Sequence, residues 1–362
     1  MNSQPISSRE RIVSLDIIRG IALFGIMLIN VPAYIIYTSD TPPVDYSGLN
    51  GVLHTLISIF VEKKFFSIFS FLFGVGFYIF VSRAEKRGDR YYLRYVRRLL
   101  AMLVFGIVHL LIWWGDILTI YALMGFFLIP FYNRKPRTIL LWIGILAGLH
   151  ELSLLGSMAL YQPGAQPPSV FGFFGNDAVN IFVMFLLGLY AAKTNLIAQV
   201  STHFRTYKLT QAVTLVLSVI LSAGVLWMSL VTESDAVSFY KNSLIGLGAV
   251  PMAVFYLTTL FRLLEHKGVQ KMLRPIGCVG QMAFSNYIGQ DLIGANIIIP
   301  LAGLQVVSPL PALIIAIVIY LIELIASIIW LRFFSYGPLE WIWRLLTYGR
   351  LRKKQSAEAA NA

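Results

Sequence analysis

One histidine and one aspartate in the stretch FGIVHLLIWWGDILTIY have the types and spacing for acid–base chemistry. His109 stands seven residues before Asp116 in an otherwise apolar run. A buried imidazole beside a carboxylate can take a proton from a hydroxyl or an amine, because the carboxylate orients the ring and stabilises its charged form. A lone histidine in an apolar helix more often serves packing, and the spacing alone favours that role. Proton abstraction is the alternative hypothesis.

Two tryptophans, Trp113 and Trp114, stand between this histidine and this aspartate. Tryptophan gathers at the membrane–water interface, so the pair has one interpretation as an interfacial belt. The same pair can form a wall on which a sugar-like or planar acceptor stacks. Both interpretations stay open, and the two residues are candidates for substrate binding.

A second polar pattern runs through the apolar stretch SLDIIRGIALFGIMLIN, residues 14–30. Asp16 and Arg19 lie three residues apart, so they can pair on one helical face, or Arg19 can present its guanidinium to a phosphate. Asn30 follows Arg19 by eleven residues, about three helical turns, and returns to a similar face. Charges at membrane depth persist mainly where they have a partner or a function. The stripe therefore either pairs with neighbouring helices or lines a path.

The stretch GQMAFSNYIGQDLIG, residues 280–294, holds a dense polar run at mid-membrane depth. Ser285 and Asn286 are expected to serve helix contact, because small and polar side chains join helices inside a membrane. Gln290 and Asp291 are candidates for a substrate site.

Small residues interrupt the aromatic stretch FFSIFSFLFGVGF, residues 65–77. Ser67 and Gly74 leave room for another helix, or for the chain of a ligand, to approach closely. No Lys-Ser or Lys-Thr pair follows the glycines, so the stretch is not a phosphate-binding loop. The sequence also lacks HExxH, GxSxG and any His/Cys cluster at ligand spacing, and we predict no metal site.

The composition identifies the kind of protein that must position these residues. The chain has 362 residues, of which 57% are hydrophobic and 13% charged, whereas a soluble domain carries about 25% charged residues. The apolar residues form blocks of roughly 17 to 25, long enough to cross a bilayer. Their continuity excludes a strand barrel. The single cysteine, Cys278, excludes an internal disulfide. We therefore predict an all-α polytopic membrane protein.

About ten transmembrane helices are predicted. Their spans are 12–37, 65–82, 96–114, 116–132, 138–160, 176–192, 209–231, 243–264, 276–300 and 309–334. With both termini in the cytoplasm, 25 of the 29 basic residues fall on the cytoplasmic side, as the positive-inside rule requires. Residues 1–348 are expected to form one transmembrane domain, and residues 349–362 a basic and polar cytoplasmic tail without fixed structure.

The net charge of +12 is explained mostly by this orientation signal, so no nucleic-acid partner is predicted. The run SRAEKRGDRYYLRYVRR, residues 82–98, is denser in charge than orientation requires. It can also bind phosphates or anionic lipid headgroups.

Several of these stretches carry a resemblance to a known family. The apolar stretch that begins at residue 14, KKFFSIFSFLFGVGF, the region around His109, and GQMAFSNYIGQDLI together resemble the YeiB-like family of bacterial inner-membrane proteins. The ending GPLEWIWR, residues 337–344, is particularly specific. The resemblance covers almost the whole chain and implies a multi-pass protein of the bacterial plasma (inner) membrane. The family carries only a loose suggestion of transport.

The first helix is more distantly similar to heparan-α-glucosaminide N-acetyltransferase and to the acyltransferase-3 family. Both open with a D-x-x-R-G-x-A pattern, which Asp16 and Arg19 begin here. Acyltransferase-3 proteins have a functional histidine where this chain has Asn30. The heparan enzyme also has asparagine there and places its proposed catalytic histidine in the loop that follows. In this chain that loop offers only His54, further along.

The resemblance implies a membrane-spanning acyltransferase. Such an enzyme moves an acyl group from cytosolic acyl-CoA, with acetyl-CoA as the expected donor, to an envelope glycan or small-molecule acceptor outside. The implied catalytic residues are His109 or His54 as base, Asp116 as its partner, and Asn30 as donor to the thioester carbonyl. The pantetheine chain would pass Ser67 and Gly74. The cofactor-binding residues implied at the inner mouth are arginines that hold the CoA phosphates, with Asp16 orienting the first of them: Arg19, Arg94, Arg97, Arg98, Arg274 and Arg344.

Two other classes compete with acyl transfer. The polar stripe can equally line the path of a transporter or exporter for a small solute or lipid, which would have no reason to bind CoA thioesters tightly. A non-catalytic scaffold or lipid-binding partner would need only the interfacial segment 52–62 and the cytoplasmic basic run. Bundles of this kind also form homodimers, and the sequence specifies no interface.

Overall fold

Helices are the only regular secondary structure among the residues that the structure describes. This structure is a computed structural model; it describes residues 8–35, 41–165 and 168–349, with side chains from residue 13 onward. The predicted all-α class is confirmed for these ranges. The predicted tail lies outside the described residues from residue 350 onward.

The first half of the chain contains eight α-helices. They are α1 (Ser8–Asn30), α2 (Gly48–Phe60), α3 (Lys64–Lys86), α4 (Tyr91–Leu110), α5 (Leu118–Leu128), α6 (Pro136–Ala159), α7 (Ser169–Phe174) and α8 (Asp177–Lys193). A 3₁₀ turn, Val31–Tyr34, extends α1, and another, Ile129–Phe131, extends α5.

The second half contains nine more in its described residues. They are α9 (Phe204–Leu230), α10 (Asp235–Leu247), α11 (Ala249–Leu263), α12 (Lys267–Met272), α13 (Arg274–Gln281), α14 (Ala283–Ile293), α15 (Ile299–Leu301), α16 (Pro309–Phe333) and α17 (Pro338–Tyr348).

Six helical stretches in the described ranges are long and apolar enough to cross a membrane. They are Val13–Tyr34, Gly48–Lys86, Pro136–Ala159, Phe204–Leu230, Asp235–Leu263 and Pro309–Phe333. Length and apolarity therefore support a helical membrane protein. These two criteria identify six of its helices as candidate spans, and the predicted number of ten stays a prediction. α4 and α8 fall short for physical reasons, since arginines begin α4 and α8 has only 17 residues.

The predicted ninth span, 276–300, is a chain of short helices. α13 ends at Gln281, Met282 leaves helical geometry, and α14 then begins. A π-helical turn, Gly294–Ile298, follows α14 and leads into α15. The apolar pattern predicts a span here but cannot show these interruptions, which depend on polar groups that bond outside their own helix.

Glycine sets the closest helix contacts. A methyl group on Gly74 of α3 would lie 2.0 Å from the carbonyl oxygen of Phe185 on α8, and one on Gly188 would lie 2.0 Å from that of Phe71. The two helices therefore touch backbone to backbone, as small residues allow in membranes. α1 and α13 meet in the same way, with Gly280 against the backbone of Asp16.

The buried core surrounds α1, α3 and α8, whose inward faces carry side chains with almost no exposure. α9 lies at the periphery, because only 11% of its most apolar stretch is buried. Its exposed face is rich in leucine, isoleucine and valine, as a lipid-facing helix requires.

Candidate functional site

His109 lies in the last turn of α4 between two carboxylates. Its ring Nδ1 is 2.9 Å from Oδ1 of Asp116, and its Nε2 is 3.2 Å from Oδ2 of Asp291. The side chains of all three residues are buried. The two aspartates stand at opposite edges of the imidazole, so they flank the ring in a row. The predicted pairing of His109 with Asp116 is thus present.

Asp116 is held in place by the start of α5. Its Oδ1 accepts from the backbone N–H of Leu118 at 3.1 Å, and its Oδ2 accepts from that of Thr119 at 2.8 Å. Aspartate is a preferred residue at helix starts, where its charge also meets the positive end of the helix dipole. This local rule fixes the carboxylate that orients His109.

Asp291 comes from α14, on the other side of the ring. Its Oδ1 accepts a 2.5 Å hydrogen bond from the hydroxyl of Tyr34, and the side chain of Asn30 also hydrogen-bonds this carboxylate. The contact between His109 Nε2 and Asp291 Oδ2 does not have hydrogen-bond alignment, and neither atom has another partner in the described residues. Buried polar atoms normally have one. His109 Nε2 and Asp291 Oδ2 are therefore the unsatisfied pair of atoms in this cluster.

Aromatic rings enclose the cluster. Trp113 is buried, its indole N–H donates to the carbonyl of Ala33 at 3.2 Å, and its ring lies edge-on to Tyr34. The ring of Tyr287 lies 5.3 Å from that of His109. Trp114, the second predicted stacking residue, is 65% exposed and faces away from this enclosure. One of the two tryptophans therefore belongs to the site wall.

Two further buried polar residues lie on this side of the bundle without hydrogen-bond partners in the described residues. Both amide atoms of Gln290 and both carboxylate oxygens of Glu323 are in this state. Glu323 interacts electrostatically with Asp291 and with Tyr34. Glu323 therefore lies beside the cluster around His109. The sequence drew attention to Gln290, but it assigned Glu323 no role.

A cluster of cations lies at the opposite end of α1. Arg19 forms an ion pair with Asp16 at 2.7 Å and donates to the carbonyl of Gly280 at 3.1 Å. The guanidinium of Arg98 lies 3.6 Å above the centre of the Trp343 ring. The positive charges of Arg19 and Arg344 both act on Arg98. Three of the arginines predicted at the inner mouth are thus neighbours.

The remaining predicted cations have separate contacts. Arg94 pairs with Asp89 at 2.8 Å. Arg97 donates to the carbonyl of Leu346 at 3.1 Å. Arg274 is exposed at the start of α13. Arg94 also shares the ring of Tyr348 with Arg344 of the cluster, at 5.3 and 5.8 Å from the ring centre.

Three other predicted residues lie in different surroundings. His54 is half-buried on α2, against the ring of Tyr46. Ser67 is fully buried, and its hydroxyl donates to the carbonyl of Lys63 at 2.6 Å. The close backbone contact already described occupies the space beside Gly74. His54, Ser67 and Gly74 are therefore not brought together with His109.

The same spacing separates the two polar ends on three elements. The two residues of each pair are eleven positions apart: Arg19 and Asn30 on α1, Arg98 and His109 on α4, and Gly280 and Asp291 on α13 and α14. Eleven residues make about three turns and about 16 Å. At one end, Arg19 donates to the carbonyl of Gly280 and lies near enough to Arg98 for the two charges to repel. At the other end, Asn30 and His109 both contact the carboxylate of Asp291. These elements therefore run side by side in the same direction.

Similarity to known proteins covers nearly the whole chain. Residues 191–350 match the family model described as "Protein of unknown function (DUF418)", and this region contains Asp291 and Glu323. An uncharacterized 39.9 kDa protein encoded in the amylase 3′ region of Bacillus acidopullulyticus is 32% identical, over 96% of this chain and 96% of its own. The uncharacterized protein YxaH of Bacillus subtilis is 32% identical over 95% of this chain and 96% of its own.

The uncharacterized protein YeiB of Escherichia coli is 27% identical over 93% of this chain and 96% of its own. Coverage of almost the full length on both sides means that these proteins share one overall organisation with this chain. The predicted resemblance to the YeiB-like family is confirmed. The chain belongs to the YeiB-like family of DUF418 proteins.

Proposed function

We propose that the protein is a membrane-spanning acyltransferase that uses cytosolic acyl-CoA. The acyl group passes to a hydroxyl or amine of an acceptor at the opposite side of the membrane. The proposal places the CoA phosphates at the cluster of Arg19, Arg98 and Arg344, and the reacting thioester beside His109.

The observation that carries this proposal is the spacing of eleven positions, a rise of about 16 Å, between the two polar ends on α1 and on α4, with α13 and α14 contacting both ends. An acyl-CoA has its charges and its reactive carbonyl at opposite ends of an extended pantetheine chain. A site for it therefore needs cations at one end, an acid–base group at the other, and a separation that matches the extended pantetheine chain. Arginine suits the first end because its planar guanidinium binds phosphate through two hydrogen bonds.

The buried cluster supplies the groups for the transfer step. The proton of the acceptor hydroxyl or amine passes to Nε2 of His109, while Asp116 holds Nδ1 and stabilises the imidazolium. The acceptor oxygen or nitrogen attacks the thioester carbonyl carbon, and Asn30 donates a hydrogen bond to the carbonyl oxygen as negative charge develops there. The CoA sulfur leaves and takes the proton from His109. Trp113 and Gln290 line the acceptor side.

The proposal includes a topology of ten spans with both termini in the cytoplasm of a bacterial inner membrane. Two features support it. The helices α1, α4 and α13–α14 run in the same direction, as the first, third and ninth spans must. The arginine cluster lies at the end of these helices that the positive-inside rule assigns to the cytoplasm.

A proton-coupled transporter is a second candidate, and one observation favours it. Glu323 is 3% exposed on α16 and acts on Asp291, while its carboxylate has no hydrogen-bond partner in the described part of the chain. Buried carboxylates beside an interrupted segment such as α13–α14 are typical of proton relays in transporters.

Binding of acyl-CoA separates the two candidates. Purified protein in detergent is titrated with acetyl-CoA and longer acyl-CoAs by calorimetry. We expect saturable binding that weakens at least about tenfold in Arg19→Ala, the loss of one charge-assisted contact. Arg137→Ala, which removes an exposed arginine on α6, is the matched control and should bind as the unaltered protein does. Absence of binding by folded protein would rule out acyl transfer and favour transport.

The two candidate bases are separated in proteoliposomes. We expect His109→Ala to abolish release of CoA thiol from acetyl-CoA, and His54→Ala to preserve it. The reverse result would move the reacting centre to His54 on α2.

A further inference from the structure

A second buried cation lies apart from the cluster around His109. Lys64 is the first residue of α3, and its side chain is 2% exposed. Its Nζ donates to the carbonyl of Ser58 at 2.9 Å. No carboxylate forms an ion pair with Lys64 in the described ranges. The neighbouring charge of Glu62 attracts the Lys64 ammonium, and that of Lys63 repels it. A buried ammonium without an ion-pair partner carries a large desolvation cost.

Lys64 lines a small cavity between α3, α9, α10 and α11. The space open to the centre of a water-sized sphere is about 10 Å³, so the cavity has room for one small occupant. Ser218 lines the same cavity; it is 2% exposed, and its hydroxyl has no hydrogen-bond partner in the described chain. The rest of the lining is mostly apolar, with Ser222 as another hydroxyl.

We propose that this cavity binds a monatomic anion, chloride or a related halide, between Nζ of Lys64 and the hydroxyl of Ser218. The polar side chains of the lining supply an ammonium and hydroxyls, which are donors, so the chemistry selects an anion over a cation. The volume is too small for phosphate, sulfate or a carboxylate. The N-terminal end of α3, where Lys64 stands, also carries the positive end of the helix dipole.

A bound halide would neutralise Lys64 and join α3 to α9. Lys63 beside it already joins α3 to the start of α8 through Asp177, at 2.8 Å. The anion therefore helps to hold α3 in the bundle, and the free energy of unfolding should rise with the halide concentration.

The test is the thermal unfolding of the detergent-solubilised protein in potassium chloride, potassium bromide and potassium gluconate at equal ionic strength. We expect the melting temperature to be about 2–4 °C higher in the halide salts, the shift that about 1 kcal/mol gives in a protein of moderate size. Lys64→Met should remove the difference. Lys63→Met, which removes the neighbouring half-buried cation, should keep it.

Two further measurements protect the test against a variant that fails to fold. Ser218→Ala keeps the cation and removes the hydroxyl, and we expect the halide concentration needed for half of the shift to rise several-fold. Crystals grown in bromide should show anomalous scattering beside Nζ of Lys64. Equal melting temperatures in all three salts, or an unchanged halide effect in Lys64→Met, would overturn the proposal and leave a water in the cavity.

Discussion

Replacing Asp116 by asparagine tests the proposed chemistry at its most constrained point. The Asp116 carboxylate accepts three hydrogen bonds, from the ring nitrogen of His109 at 2.9 Å and from the backbone N–H groups of Leu118 and Thr119 at 3.1 and 2.8 Å. Asparagine has nearly the same shape but only one acceptor oxygen. Because the start of α5 offers two donors, that oxygen should turn to the backbone.

The asparagine amide then presents its NH₂ group to Nδ1 of His109. The ring must accept at Nδ1 and carry its proton on Nε2, which is the wrong tautomer for a base that works through Nε2. The loss of the corresponding charge in a serine protease triad lowers the rate by about 10⁴. We therefore expect the Asp116→Asn variant to lose about 10³–10⁴ in the rate of acyl transfer. Asparagine is as good a helix cap as aspartate.

The stability cost should be small by comparison. The three bonds change from charge-assisted to neutral or are lost, which costs about 1–3 kcal/mol in total. The assay is CoA thiol release from acetyl-CoA by proteoliposomes supplied with a mixture of amino sugars and polyols. Unfolding in detergent is measured on the same preparation. Asp177→Asn is the matched control, since it removes the exposed partner of Lys63 and should change neither quantity by much.

Particular outcomes would refute this reasoning. If Asp116→Asn kept its rate within about twofold while His109→Ala abolished it, orientation through Nδ1 would not be required, and the tautomer argument of the triad would not transfer. If both variants kept full activity, His109 would not be the base.

Two other substitutions test the packing that holds the site. Gly74→Ala places a methyl 2.0 Å from the carbonyl oxygen of Phe185, and we expect the free energy of unfolding to fall by about 1–3 kcal/mol. The control is Gly76→Ala, whose added methyl has no atom within 4 Å and should be neutral or stabilising. Equal melting temperatures of the two variants would contradict the contact between α3 and α8. Glu340→Gln removes a charged acceptor from the start of α14, and we expect about 1–2 kcal/mol less stability and slower release of CoA thiol. The control for both quantities is Glu151→Gln, at a half-buried position on α6. Unchanged activity in Glu340→Gln would show that Glu340 does not position the site.

Sequence patterns predicted much of the buried cluster around His109. His109 and Asp116 were found from their types and spacing, Asn30 from the three-turn repeat on α1, and Asp291 from a dense polar run. These signals are local, because a helix repeats every 3.6 residues and a polar group in an apolar span stands out. The class of the fold was predicted on the same basis.

Other members of the cluster depend on contacts between distant segments. Tyr34 reaches Asp291 from the 3₁₀ turn after α1, and nothing in its neighbourhood distinguishes it from other interfacial tyrosines. Glu323 is a lone carboxylate whose meaning comes from its position beside Asp291. Ser67 and Gly74 were predicted on a ligand path from their small size, but small size serves helix contact equally well. The structure places both at helix contacts.

The C-terminal helix explains why the two polar ends keep their register. Glu340 of α17 accepts from the backbone N–H groups of Phe284 and Ser285 at 2.7 and 3.1 Å, and so caps α14. Three residues on, Trp343 donates to the carbonyl of Arg98 at 2.9 Å and stacks under its guanidinium. One helix thus fixes the start of the element that carries the acid facing His109 and also the arginine at the opposite end of α4.

That double contact gives a physical reason for the specificity of the ending GPLEWIWR. The break at Met282 leaves backbone donors exposed at the start of α14, and a buried helix end without acceptors is costly. A carboxylate meets this need better than a neutral group, because it also faces the positive end of the helix dipole. Since α14 is only 11 residues long, a shift at its start is transmitted to Asp291 two turns later. The GPLEWIWR ending therefore acts on the proposed site from a distance, by setting where α14 begins.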